Sequence, residues 1–157
     1  MEQTNLMVIN GNELSFEPGE TILEVARRAD IDIPTLCHLK DATPTGACRI
    51  CVVEVDGAEN LMTACSTPAA ANMVVRTESG KVVASRKETL RLMLSSGNHN
   101  CAVRGRDDGD WTQFQLGVEK DDGSDALCPV WGDCRLQDLA YRYQVTGEDF
   151  KGTPAKD

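Results

Sequence analysis

Seven cysteines and two histidines in 157 residues carry most of the chemistry this chain can offer. Four of the cysteines are spaced Cys37-x10-Cys48-x2-Cys51-x13-Cys65. A close Cys-x2-Cys pair bracketed by two distant cysteines can bring four thiolates to one point. Such a set suits an iron–sulfur cluster or a zinc ion. Zinc sites more often use two close doublets, whereas here Cys37 and Cys65 each stand alone. The intervening Pro44, Gly46 and small side chains suit a backbone wrapped closely around something. The other three cysteines, Cys101, Cys128 and Cys134, come after His99 in the second half, and together they bring the possible ligands to eight.

The redox compartment bears on this count. Seven cysteines is odd, which leaves one thiol over in any disulfide scheme, and a reducing compartment favours metal ligation. The start, Met-Glu-Gln-Thr-Asn, lacks the basic and apolar regions of a secretory signal, so a cytoplasmic protein is expected. No apolar run approaches the roughly 20 residues that cross a bilayer. A formal charge of −9 argues against nucleic acid or an anionic membrane as partner.

The elements that must position these residues are legible in outline. Leu6 to Ile9 is an apolar run, Asn10-Gly11 supplies a type I′ turn, and Leu14 and Phe16 alternate on the return, which together read as a hairpin. Thr21-Ile-Leu-Glu24 is a capping box opening a helix with Ile22, Val25, Ala26 and Ala29 on one face, and Pro34, which follows closely, prevents its continuation. Val52 to Val55 reads as a strand, Asp56-Gly57 as a turn, and Leu61-Met62 as the way back to Cys65. Cys51 and Cys65 would then sit near the ends of one hairpin. Met73 to Val75 is a last strand, so residues 1–78 form a mixed sheet crossed by one helix, an α+β domain. A second helix is expected over 80–96, with Val83, Leu90, Met93 and Leu94 buried and Gly97 as its stop. A third opens near Cys134, with Leu136, Leu139, Ala140 and Tyr143 on one side.

Residues 102–127 differ in character. Three basic and seven acidic side chains surround Trp111, Phe114, Leu116 and Val118. This reads as an insertion in a second domain, residues 79–145, whose aromatic anchors dock on a neighbouring subunit. The stretch 146–157 is polar and patternless.

With these residues in view, the first quartet resembles the N-terminal [2Fe–2S] domain of the large iron–sulfur subunit of respiratory complex I. The same module recurs in iron-only hydrogenases, NAD-linked hydrogenases and formate dehydrogenases. The resemblance implies a β-grasp-like ferredoxin domain in which Cys37, Cys48, Cys51 and Cys65 hold a [2Fe–2S] cluster. In that family a small helical domain comes next, with a His-x3-Cys-x2-Cys-x5-Cys box, often continuing Leu-Gln-x-Leu-Ala. This chain has His99-x-Cys101, then Cys128-x5-Cys134-Arg-Leu136-Gln137-Asp-Leu139-Ala140. The short His-x-Cys form is similar to the small diaphorase subunit of NAD-linked nickel–iron hydrogenases, and the 26-residue gap before Cys128 is a departure. The resemblance implies that His99, Cys101, Cys128 and Cys134 hold a [4Fe–4S] cluster. His38 is expected in a supporting role, with Leu39 beside it packing, and Arg49 as a hydrogen-bond donor near the cluster.

By the same resemblance the chain is an electron-transfer subunit of a cytoplasmic NAD(P)-linked hydrogenase or formate dehydrogenase complex, including electron-bifurcating ones. Its partners would be a flavin- and NAD-binding iron–sulfur subunit and a catalytic hydrogenase or dehydrogenase subunit, in a hetero-oligomer. No Cys-x2-Cys-x2-Cys-x3-Cys-Pro box and no Gly-x-Gly-x-x-Gly loop occurs in the 157 residues, so no substrate-converting site is expected in them. A free-standing two-cluster ferredoxin is the first rival reading, and a zinc-stabilised interaction module the second.

Overall fold

The computed structural model describes residues 5–95, 134–145 and 149. The chain divides into two compact units, Met1–Arg86 and Lys87–Asp157.

The first unit opens with β1 (Leu6–Ile9) and β2 (Asn12–Ser15), paired antiparallel. Asn10 and Gly11 between them have φ of 52° and 83°. Both central positions of a type I′ turn need that left-handed backbone, which asparagine and glycine adopt more readily than other residues. Three further strands complete the sheet: β3 (Val52–Val55), β4 (Met62–Thr63) and β5 (Val74–Arg76). The sheet order is β2-β1-β5-β3-β4. β5 runs parallel to β1 and antiparallel to β3, so the last strand in sequence is the middle one in space. The mixed sheet and its helix are the α+β arrangement that the element pattern implies.

Helix α1 (Ile22–Arg28) starts at a complete capping box. Thr21 Oγ1 accepts from the Glu24 N–H at 3.3 Å, and the Glu24 carboxylate accepts from the Thr21 N–H at 2.7 Å. Its buried face is Ile22, Leu23, Val25 and Ala26, packed with Met7, Ile9, Val53, Val55 and Val75 of the sheet. Leu23 therefore joins the expected face, and Ala29 instead forms the C-cap. The helix ends earlier than Pro34 would dictate. Asp30 turns left-handed at φ 54°, its N–H reaches the Arg27 carbonyl at 3.2 Å, and the Ile31 N–H reaches the Ala26 carbonyl at 2.8 Å. That pair of bonds is a Schellman motif, and it closes the helix before the proline is reached.

The capping box gives a pH prediction. The hydrogen bonds from the Thr21 backbone and hydroxyl, chief among several causes, hold the Glu24 carboxyl below its ordinary 4.5. A depressed carboxyl stabilises the fold above the unfolded-state value, and the contribution disappears as pH falls through the folded one. Glu24→Gln should therefore flatten the loss of stability below about pH 4.5, read as urea midpoints at pH 3, 4 and 7. Parallel acid profiles for the two proteins would contradict it.

Helix α2 (Gly80–Ser95) buries Val82, Arg86, Leu90 and Leu94, one residue every fourth position. Val83 and Met93, expected on that face, are only half-buried. An arginine stands within the stripe, and reading it as a solvent residue shifts the apparent face by one position.

In the second unit α3 (Arg135–Arg142) has Cys134 as its N-cap, with Leu139, Ala140, Tyr143 and Val145 buried. Leu136 is half-buried. Asp149 is held by α2: its carboxylate lies 3.2 Å from Lys87 Nζ, and its carbonyl accepts from Arg91 Nη2 at 2.7 Å. One residue of the stretch read as patternless is thus fixed to a helix. The stop at Gly97 and the insertion 102–127 lie outside the described residues.

Candidate functional site

Cys51 and Cys65 are carried by one hairpin. β3 and β4 pair Val52 with Thr63, and the Ala64 N–H donates to the Cys51 carbonyl at 3.0 Å. The residue before Cys65 is therefore hydrogen-bonded to Cys51, and both cysteines are 1% exposed. Helix α1 secures this corner. Its first free N–H groups, Ile22 and Leu23, donate to the carbonyls of Thr67 and Ala64 at 3.0 Å each. Donors that every helix start leaves unpaired are used here to hold the turn around Cys65.

Cys37 and Cys48 come from the long loop between α1 and β3, and both are half-buried. The loop turns through left-handed backbone at Asp41, Gly46 and Arg49, with φ of 64°, 62° and 57°. The Cys37 sulfur is approached by the Cys48 N–H and thiol, the Thr45 hydroxyl at 3.8 Å, and the Ala47 N–H. The Cys48 N–H does most to hold the Cys37 thiol below its usual 9.0, against the opposing effect of burial. Cys51 behaves oppositely: burial pushes its thiol up to about 12. Its sulfur neighbours are Cys65 foremost, then Cys48.

The four cysteines are thus free thiols in two pairs, Cys37 with Cys48 at the rim and Cys51 with Cys65 inside. Cys48 also helps to raise the Cys51 thiol, by less than Cys65 does. Among the described residues no three His, Cys, Asp or Glu side chains converge on a single ion position. Four thiols brought to one region are donors that suit a metal group with thiolate ligands.

The surroundings hold the loop against the hairpin. At Gly46 an added Cβ would stand 3.2 Å from Ser66 Oγ and 3.3 Å from Thr63 Oγ1, and those two hydroxyls are 2.6 Å apart. His38 Nδ1 lies 3.4 Å from Arg27 Nη1. Leu39, expected to pack, is 69% exposed. Of the second ligand set only Cys134 is described, half-buried and without a side-chain capping bond. His99, Cys101 and Cys128 lie outside the described residues. The sequence reading missed Thr45, whose spacing to Cys37 is not periodic, and Arg86, whose only signal was its place within an apolar i+4 row.

Against known proteins, residues 4–80 match the 2Fe-2S iron-sulfur cluster binding domain family. Residues 4–80 belong to that family. This [2Fe–2S] domain, together with the second half of the chain, is also similar to the NADP-reducing hydrogenase subunit HndD of Solidesulfovibrio fructosivorans, 35% identical over 151 residues. The match takes in 93% of this chain and 22% of the relative. The NAD-reducing hydrogenase HoxS subunit gamma of Cupriavidus necator is 37% identical over 95 residues, 60% of this chain and 40% of that subunit. A solved NAD+-reducing [NiFe]-hydrogenase, crystallised in the H2-reduced state, superposes with a TM-score of 0.71 at 28% identity, over 98% of this chain and 55% of the other. The chain therefore spans well under half the length of the curated relatives named here. No helix among the described residues is long and apolar enough to cross a membrane.

Proposed function

We propose that the chain is an electron-transfer iron–sulfur subunit of a cytoplasmic NAD(P)-linked hydrogenase or formate dehydrogenase complex. It relays single electrons between a flavin- and NAD-binding subunit and a catalytic metal subunit. The pairing of the four cysteines carries the reading, because a two-iron cluster takes two ligands on each iron. Cys37 and Cys48 would hold one iron, and Cys51 and Cys65 the other. Four thiolate donors, one pair dry and one pair hydrogen-bonded at the rim, fit that group. When bound, the cluster supplies one-electron storage, and the chain supplies burial and hydrogen bonds to sulfur, which tune its potential. The thiols must shed their protons on loading, Cys51 above all, so loading is coupled to pH.

His99, Cys101, Cys128 and Cys134 hold a [4Fe–4S] cluster in the second unit. Cys134 begins α3, where free N–H groups and the helix dipole favour a negatively charged ligand set. The similarity to hydrogenase subunits supports membership of such a complex.

Anaerobic reconstitution tests this reading. The full chain should take up about six irons with matching sulfide, the sum of the two cluster types. Its visible absorbance should bleach with dithionite, and the reduced protein should give two distinct paramagnetic signals. A preparation that binds zinc and no sulfide would overturn the cluster assignment. Co-purification with flavin-containing and catalytic subunits through size exclusion at high salt checks the complex.

A further inference from the structure

Arg86 is the largest fully buried side chain among the described residues, at 0% exposure. Arginine is almost never buried so completely without dedicated partners. Here Nε donates to the Ile50 carbonyl at 2.9 Å and Nη2 to the Val52 carbonyl at 2.8 Å. Nη1 meets the Glu78 carboxylate at 2.7 Å. Ile50 and Val52 are the two neighbours of Cys51 in the chain. One guanidinium therefore grips the backbone on both sides of a proposed inner ligand. The other members of its stripe, Val82, Leu90 and Leu94, are apolar, and replacing a buried ion pair by apolar residues is often neutral or stabilising. Packing alone gives no reason for a cation here.

Building on the cluster reading above, we propose that Arg86 is a positioning residue that fixes Cys51 and sets the potential of the [2Fe–2S] cluster by its buried positive charge. A cluster with four thiolate ligands is negative and becomes more so by one charge on reduction. A fixed cation beside the ligand backbone favours the reduced state and raises the midpoint potential, with net charge and hydrogen bonding as the levers. Burial makes the charge effective, because neither water nor salt screens it as at a surface. Glu78 opposes it in part, since its side chain is 43% exposed and its negative charge lies on the open side of the pair.

The experiment compares Arg86→Gln, Arg86→Lys and Glu78→Gln with wild type in the reconstituted full chain. Iron and sulfide are assayed first, and the [2Fe–2S] paramagnetic signal is then tracked through a redox titration. Arg86→Gln keeps a donor and loses the charge, so its cluster should be at least tenfold less reduced at the wild-type midpoint, about 59 mV lower for one electron. Arg86→Lys keeps the charge and should recover most of that shift, while Glu78→Gln should move the midpoint up. Equal shifts in the two arginine variants, or an unshifted Arg86→Gln, would overturn the proposal and leave Arg86 as a clamp only. If Arg86→Gln fails to load, Glu78→Gln decides: a raised midpoint supports the charge effect and an unchanged one refutes it. A wild-type chain that takes up no iron and sulfide overturns the cluster reading itself, and this proposal with it.

Discussion

Cys51→Ala should abolish the [2Fe–2S] paramagnetic signal, remove about two of about six irons, and leave the second cluster's signal in place. The inner pair decides this. Cys51 is 1% exposed and its partner Cys65 equally so, hence bulk water has little access to the vacated position. Cys37 at the half-buried rim offers a milder comparison, because solvent could approach a metal bound there. Removing one buried atom of methylene size costs about 1 kcal/mol of fold stability, small against the roughly 5–15 kcal/mol of a typical domain. Circular dichroism should consequently look native while the signal is gone. Retention of the signal in Cys51→Ala would show that this quartet does not hold the cluster.

Gly46→Ala should cripple loading of the same cluster without touching a ligand. At φ 62° an alanine carries a left-handed penalty of about 1–2 kcal/mol. Its Cβ would also press on Ser66 Oγ at 3.2 Å and Thr63 Oγ1 at 3.3 Å, both in the turn that leads into and out of Cys65. Relief comes from turning those two hydroxyls out of their 2.6 Å hydrogen bond, or from moving the loop carrying Cys37 and Cys48 away from the hairpin carrying Cys51 and Cys65. Gly57→Ala supplies the control, with φ 82° and nothing within 4 Å of the added carbon. Both variants should lose a similar amount of stability from backbone strain. Only Gly46→Ala should fall several-fold in iron and sulfide uptake at limiting supply. Equal uptake by the two would mean that the loop and hairpin need not meet.

These outcomes rest on features of unequal visibility in the sequence. The Asn10-Gly11 turn and the Thr21/Glu24 capping box were legible because each is made by residues within four positions of one another. The antiparallel return from β3 to β4 came from one short hairpin, and with it the approach of Cys51 to Cys65. The pairing of Cys37 with Cys48 was not legible, since it depends on left-handed turns at Asp41 and Arg49, residues that adopt such backbone only in context. The device that closes α1 was hidden for a related reason: Asp30 takes the place usually given to glycine in a Schellman motif, so the sequence shows only Pro34 as a barrier further on. The buried face of α2 was displaced because a pattern of apolar residues has no way to count Arg86 as core. The parallel pairing of β1 with β5 joins residues more than sixty apart and leaves no local mark.

That parallel pairing also imposes an order of events on synthesis. All four cysteines of the first quartet leave the ribosome before β5 does, yet β5 is the strand that joins the β1–β2 hairpin to the β3–β4 hairpin. Until Val74–Arg76 emerges the nascent chain holds two separate hairpins, each marginal in water by itself. Cys51 and Cys65 lack part of their cover during that interval, and a more exposed thiol is more open to oxidants. Closing the sheet therefore completes the shelter of the inner thiols, and any loading of them with iron and sulfide before it closes would compete with oxidation.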